Sequence, residues 1–151
     1  MNEKLIKLLA TGFASGLVPF APGTIGTLVG VGICLICWSL PWLLRLLIVI
    51  LLLVLAIYIA GRAEQVYGKK DDQRIVIDEI AGFQVTMLAV AITGLHLLVG
   101  FVLFRIFDIW KPFPLRYLQK ISGGLGIVLD DVAAGIYAGV VMWVLTFLVK
   151  F

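Results

Sequence analysis

The sequence predicts an all-α, multipass transmembrane helical bundle with short interfacial and hairpin helices. Hydrophobic residues make up 62% of the 151 positions and charged residues only 14%, a composition far from that of soluble domains. Mean hydropathy is +1.14, and the apolar residues form long runs with the charges placed beside them. A chain of this length is expected to form one domain over residues 1–151.

The N-terminal part is predicted to lie near the membrane surface. Residues 3–18 carry two lysines near their start and a small-residue tail, which favours a short amphipathic or half-inserted helix at the cytoplasmic interface. Residues 18–27 contain Pro19, Pro22 and Gly23, so a rigid turn is expected, with Thr24 or Thr27 capping the next helix. This turn is either a plain capped helix start or a loop whose N–H groups and hydroxyls face a phosphate.

Two apolar runs follow the turn. Residues 24–40 are predicted to span the membrane at about 17 residues, the short end for a bilayer, and Gly26 with Gly30 forms a close-packing GxxxG pair. The chain then turns on the outer side at 39–42 and returns in a second span, 43–60.

The segment 61–77 is predicted to be a polar cytoplasmic loop. Its four basic residues place it inside by the positive-inside rule. Asp71 and Asp72 are expected to be solvated there. The basic residues are Arg62, Lys69, Lys70 and Arg74.

The next two apolar runs, 78–93 and 95–107, predict a helical hairpin that turns at 93–94. Each arm is short for a full span, and basic segments on both flanks favour an even number of crossings between them. His96, the only histidine, lies near the turn. It is either a catalytic base or a packed histidine.

The C-terminal third is predicted to contain a surface segment and a last span. Pro112 and Pro114 end the hairpin, and residues 115–121 form a basic amphipathic piece. The last span covers 127–149 and carries a second GxxxG pair, Gly135 and Gly139.

Five of the nine acidic residues lie at the borders of these apolar runs. Charge near a bilayer is costly, so such residues are functional candidates. Carboxylates with few other ligands suit Mg²⁺ beside a substrate phosphate, whereas zinc is disfavoured because no His or Cys accompanies them. The five are Asp78, Glu79, Asp108, Asp130 and Asp131.

Two basic residues lie near Asp108 in the sequence. Arg105 and Asp108 are three residues apart and share a helix face, with Lys111 close by. They form either a local ion pair or, with Lys111, a cationic pocket for phosphate. The mixture of acids and bases suggests a metal together with an anionic ligand.

Four segments in this order resemble the motif blocks of the phosphatidylglycerophosphatase A family. They are 18–26 (VPFAPGTIG), 77–82 (IDEIAG), 104–112 (FRIFDIWKP) and 124–135 (GLGIVLDDVAAG). The resemblance implies a bacterial hydrolase of phospholipid biosynthesis, a Mg²⁺-dependent lipid phosphatase that converts phosphatidylglycerophosphate to phosphatidylglycerol. It also implies a protein of the inner (cytoplasmic) membrane. Multipass insertion is predicted from the apolar runs of this chain, and an active site at the cytoplasmic face from its basic loops. Val128 departs from the methionine of many members but is equally apolar.

The chemistry of the side chains predicts roles within these blocks. Hydrolysis by metal-held water and an aspartyl-phosphate route both remain open. The metal ligands would be Asp78, Glu79, Asp130 and Asp131, the catalytic residues Asp108, Arg105, Lys111 and Asp131, and the substrate-binding residues Thr24, Gly23, Arg105 and Lys111.

Two other classes of protein compete with this interpretation. A small multipass cation transporter would also bury acids between GxxxG helices, but near the midplane and with broken helices. A structural membrane adaptor would explain the hydropathy but not the acid–base mixture. The expected partners are the lipid substrate and the membrane, and not nucleic acid, because the basic residues cluster in loops. The sequence does not indicate an oligomeric state.

Overall fold

The computed structural model describes residues 2–149, and within that range it contains seven α-helices, one 3₁₀ turn and no β-strand. The all-α prediction is therefore confirmed, whereas the single domain stays a prediction. The helices are α1 (Glu3–Ala10), α2 (Pro22–Ile36), α3 (Trp42–Tyr67), α4 (Ile77–Met87), α5 (Gly94–Trp110), α6 (Leu115–Leu118) and α7 (Gly123–Val149), with the 3₁₀ turn at Ser15–Leu17.

The short helix α4 lies at the centre of the fold. Nine of its eleven residues are buried, and it packs against α2, α3, α5 and α7. The sequence predicts this segment as the first arm of a helical hairpin. Instead it is the core helix around which the longer helices pack.

Glycines let α4 approach its neighbours at backbone distance. A Cβ added to Gly82 would lie 2.7 Å from the backbone oxygen of Asp131, and one added to Gly135 would collide with the backbone oxygen of Gly82. On the other side of α4, a Cβ at Gly30 would lie 3.2 Å from the Phe83 ring. Both predicted GxxxG segments therefore lie at helix interfaces, and the α4–α7 contact is the closer one.

The start of α2 differs from the prediction. The helix begins at Pro22 with Ala21 as its N-cap, and no side chain caps it. Thr24 thus lies inside the first turn, and the Thr27 hydroxyl donates to the Gly23 carbonyl at 2.8 Å. The predicted threonine cap is wrong because proline is well suited to the first helical position and starts the helix earlier.

Helix α3 is longer than predicted and ends at Tyr67, with Gly68 as a left-handed C-cap at φ 65°. The chain continues as a helix past residue 60 because Ala60 and Ala63 are fully buried, so the packing outweighs the polar composition. The polar loop is correspondingly short, covering 68–76.

Asp72 is buried in this loop and not solvated as predicted. Arg74 donates to both of its carboxylate oxygens, at 2.8 and 3.0 Å. These hydrogen bonds are the main reason why the pKa of Asp72 lies below its ordinary value. Asp71, in contrast, is exposed as expected.

The chain turns between α4 and α5 over residues 88–93, earlier than the turn predicted at 93–94, because α4 already ends at Met87. Thr93 is the N-cap of α5, and its hydroxyl accepts a hydrogen bond from the His96 backbone N–H at 3.1 Å. The His96 ring is buried and contacts the hydroxyls of Thr93 and Thr146. It lies about three turns of α5, roughly 18 Å, from Asp108, which favours the packed histidine.

Within residues 2–149, two helices, α3 with 26 residues and α7 with 27, are long and apolar enough to cross a membrane. Helix α2 is apolar but has only 15 residues, shorter than the span predicted over 24–40. Helix α7 begins at Gly123, one turn before the predicted start of the last span.

Candidate active site

Three carboxylates meet where α4 crosses α7. Asp78 and Glu79 belong to the first turn of α4, and Asp131 projects from α7. One oxygen of each lies within 4.8 Å of the others. Asp78 precedes Gly82 by four residues and Asp131 precedes Gly135 by four, so each acid shares a helix face with the glycine at the contact. The close approach of the two backbones therefore brings the acids together.

Three oxygens of this carboxylate cluster lack a hydrogen-bond partner among residues 2–149. They are Asp78 Oδ1, Glu79 Oε2 and Asp131 Oδ2, and all three are buried. Buried unpaired carboxylates carry a large desolvation penalty. Burial is the main cause that raises the pKa of Asp78 and of Glu79 above their ordinary values. The cluster thus fits a divalent cation, which would supply the missing partner and balance the charge.

Asp130 lies apart from the carboxylate cluster. Its Oδ2 accepts a charged hydrogen bond from Lys111 Nζ, and its side chain is 4% exposed. Adjacent helical residues point about 100° apart, so Asp131 faces α4 while Asp130 faces the end of α5. Of the four predicted metal ligands, the structure brings together Asp78, Glu79 and Asp131.

The predicted basic residues form a chain of alternating charges with their acids. Arg105 donates to Asp108 Oδ2 at 2.5 Å, and Lys111 Nζ lies 3.8 Å from Asp108 Oδ1. Together with the Lys111–Asp130 pair, the order is Arg105, Asp108, Lys111, Asp130. The local ion pair is therefore present. Arg105 Nε has no hydrogen-bond partner among the described residues, so this guanidinium retains a donor for an anion.

Gly23 lies where the acids and the bases meet. A Cβ at this position would collide with Glu79 Oε1 and would lie 3.2 Å from an Arg105 guanidinium nitrogen. The first turn of α2 thus reaches the boundary between the carboxylate cluster and Arg105, with Thr24 beside Arg105 at a surface groove. A helix N-terminus next to an arginine is suited to binding phosphate.

Most of the chain is similar to known proteins. Residues 8–146 match the family model described as Phosphatidylglycerophosphatase A. The chain belongs to this family. Similar proteins include Phosphatidylglycerophosphatase A of Haemophilus influenzae, 39% identical over 145 residues (94% of this chain, 89% of the relative), and that of Escherichia coli strain K12, 37% identical over 138 residues (90% and 80%).

A third relative carries a different name. It is a putative phosphatidylinositol-3-phosphatase of Bacteroides thetaiotaomicron, 37% identical over 150 residues (91% of this chain, 94% of the relative). No solved structure matches the chain. The family resemblance inferred from the four sequence blocks is confirmed, and the chain is an enzyme of the phosphatase class. The cation-transporter alternative finds no support in the family or in these relatives.

The four blocks that resemble the phosphatidylglycerophosphatase A family converge in space. Block 18–26 forms the turn and first residues of α2, block 77–82 starts α4, block 104–112 ends α5, and block 124–135 lies in α7. The roles predicted for their residues stay predictions. The structure brings Asp131 and Gly23 to the acids at the start of α4 and links Arg105, Asp108, Lys111 and Asp130 by ion pairs.

Two contributors to the site were missed in the sequence. Gly82 permits the α4–α7 approach, and its signal was its place four residues after Asp78 within a family block. Asp71 was treated as a solvated loop residue. It is exposed, but its charge adds to the rise in the pKa of Asp78, after burial, Glu79 and Asp130.

Proposed function

We propose that this protein hydrolyses the phosphomonoester of phosphatidylglycerophosphate, releasing phosphatidylglycerol and inorganic phosphate. The observation that carries the proposal is the junction of three buried carboxylates with the Arg105 guanidinium at Gly23. Two relatives are named for this activity. The third is named for a lipid phosphomonoester with another head group, which supports the same chemistry and makes the head group the point to test.

Mg²⁺ is the metal that this donor set favours, because it takes carboxylate oxygens and leaves room for water and substrate phosphate. Asp78, Glu79 and Asp131 would hold it. When bound, the ion would polarise the phosphoryl group and stabilise its negative charge.

The basic residues would bind and orient the phosphate. Arg105 would donate from its free Nε side while Asp108 holds its other end. Lys111, held by Asp130, would add a second positive charge. Stabilising charge on the transferring phosphoryl group is the dominant contribution in phosphoryl transfer. Asp108 and Asp130 are thus positioning residues, and the order of events at the phosphorus, by water or through an aspartyl-phosphate, is left open.

We further propose a multipass protein of the bacterial inner membrane with the site at the cytoplasmic face. Helix α3 ends and α7 begins at one side of the bundle, where backbone atoms of Gly61 and Gly124 meet. Arg74 and Lys7 lie over the Tyr67 ring at 4.0 and 5.9 Å on this side. Basic residues on one side of the spans support a cytoplasmic position.

Phosphate release by the purified protein tests the proposed function. With Mg²⁺ present, we expect a higher kcat/KM for phosphatidylglycerophosphate than for phosphatidylinositol 3-phosphate in the same detergent micelles. Preference for the inositol lipid, or hydrolysis of neither, would overturn the proposal. Protein carrying Asp131→Asn, purified in parallel, measures any contaminating phosphatase.

Arg105→Lys is expected to lower kcat/KM about tenfold or more. Lysine keeps the positive charge but cannot donate to Asp108 and to a phosphate with the planar geometry of a guanidinium. Steady-state kinetics would measure the loss, with Arg116→Lys, at an exposed arginine of α6, as the matched control. Wild-type kinetics for Arg105→Lys would reduce the Arg105–Asp108 pair to a structural salt bridge.

The topology predicts which loops are shielded in intact cells. Single cysteines introduced by Lys70→Cys or Lys120→Cys, in protein carrying Cys34→Ser and Cys37→Ser, should resist membrane-impermeant thiol reagents. Ser39→Cys, in the turn between α2 and α3, should react and serves as the matched control. Labelling of Lys70→Cys or Lys120→Cys from outside would contradict a cytoplasmic site.

A further inference from the structure

A groove of about 470 Å³ runs along the outer face of α5 next to the first turn of α2. Two of its apolar side chains are more than half exposed, Ile109 at 72% and Trp110 at 64%. The groove is therefore open to the surroundings of the bundle. Its apolar wall consists of Phe101, Val102, Ile106, Ile109 and Trp110.

Polar groups of the candidate active site form one end of this groove. Thr24 and Arg105 line it together. Arg105 also approaches Gly23, whose other neighbour is the Glu79 carboxylate, and its buried Nε has no hydrogen-bond partner among residues 2–149. The groove thus connects an anion-binding group directly to an exposed apolar surface.

A second apolar groove on the bundle contains no anion-binding group. It lies between α4 and α7, has a volume of about 350 Å³, and is lined only by apolar residues. No charged side chain reaches it. Its lining is Val85, Leu88, Ala89, Ile136, Val140 and Trp143, with Gly139.

We propose that the groove beside α5 holds the glycerol backbone and the first part of the acyl chains of the lipid substrate, while the phosphate lies at Arg105. This inference rests on the proposed function. A diacyl lipid phosphate has the two features that the groove joins, an anionic end and apolar chains. A water-soluble phosphomonoester would use only the Arg105 end.

The groove would give the lipid substrate access to Arg105 and would orient its phosphate there. Lipid chains surround a membrane protein with an environment as apolar as the groove itself, so moving a chain into the groove gains little free energy. The open wall instead lets the first part of the chains enter the groove from the surrounding lipids while their remainder stays among those lipids and the phosphate reaches Arg105. Orientation of this kind strongly affects the reaction rate. Filling the groove is therefore expected to lower kcat/KM for lipid substrates more than for water-soluble phosphomonoesters.

Val102→Trp tests this role by filling the groove at a position that is 47% exposed. We expect the ratio of kcat/KM for dioleoyl phosphatidylglycerophosphate to that for its fully deacylated, water-soluble analogue to fall by about tenfold or more. Val140→Trp, at a 56% exposed valine in the second groove, is the matched control and should leave the ratio at the wild-type value. An equal ratio in Val102→Trp and wild type would overturn the proposal.

A binding measurement covers the case in which Val102→Trp does not fold. Trp110 would be the single tryptophan in protein carrying Trp38→Phe, Trp42→Phe and Trp143→Phe. In detergent micelles with EDTA, a small fraction of phosphatidic acid with brominated chains should quench Trp110 more strongly than brominated phosphatidylcholine. Equal quenching would show that the groove takes any surrounding lipid, and would overturn the proposal.

The two measurements also separate this inference from the proposed function. Protein that hydrolyses no lipid phosphate but is quenched selectively by brominated phosphatidic acid would contradict the activity and support the groove. If the protein hydrolyses phosphatidylglycerophosphate but Val102→Trp leaves the ratio of the two kcat/KM values unchanged, the result would support the activity and contradict the groove.

Discussion

Asp131→Asn is expected to lower the rate of lipid-phosphate hydrolysis by roughly a thousandfold or more and to leave a folded protein. Asp131 supplies one of the three clustered oxygens and is only 3% exposed. Asparagine keeps the shape but removes the charge that would balance a bound cation. Folding should survive because removing one of several like charges relieves their repulsion. Phosphate release and circular dichroism on the same preparation would measure both effects.

The same variant should also respond less to metal. Ligand binding to the native state raises thermal stability, so the rise in melting temperature with Mg²⁺ should be smaller in Asp131→Asn than in wild type. Asp72→Asn is the control, since Asp72 is also a buried acid but pairs with Arg74 outside the carboxylate cluster. Normal hydrolysis by Asp131→Asn would remove Asp131 from the site and leave Asp78, Glu79 and Asp108 as candidates.

Removal of divalent cations is expected to reduce hydrolysis to background. Three buried oxygens of Asp78, Glu79 and Asp131 lack any partner among residues 2–149, and their mutual repulsion would disfavour the ionised cluster. Activity should return with Mg²⁺, and more fully than with Zn²⁺, because no His or Cys belongs to the cluster. Titration of metal into EDTA-treated and dialysed protein would measure this.

The outcome that contradicts the metal proposal is full activity in exhaustively chelated protein. A control for direct effects of EDTA on the micelles is the same chelation followed by excess Mg²⁺. Thermal unfolding gives a second readout that needs no substrate, because a cation held by the cluster should raise the melting temperature.

Much of the candidate site could be predicted from the residues alone. Charge beside apolar runs is rare and costly, which made Asp78, Glu79, Asp108, Asp130 and Asp131 stand out. The four family blocks added the order and roles. The spacing of Arg105 and Asp108 also predicted their ion pair, because residues three apart share a helix face, and the structure contains it.

Other features depended on packing and were missed. Helix α3 continues to Tyr67 through a polar segment because Ala60 and Ala63 pack fully buried on the neighbouring helices. Asp72 is buried because Arg74 folds back onto it in the loop. Hydropathy alone does not contain such contacts, since it counts composition and not neighbours.

The sequence by itself determined the helical class, the family and the set of ionisable residues from which a site can be built. Only the tertiary structure decided which of them meet. Asp130 and Asp131 are adjacent and chemically identical, yet one pairs with Lys111 and the other joins Asp78 and Glu79. The physical reason is the rotation of α7 about its axis, which is set by the close backbone contact between Gly82 and Gly135. That contact turns Asp131 toward α4. Asp130 points about 100° away from it around the helix axis and pairs with Lys111.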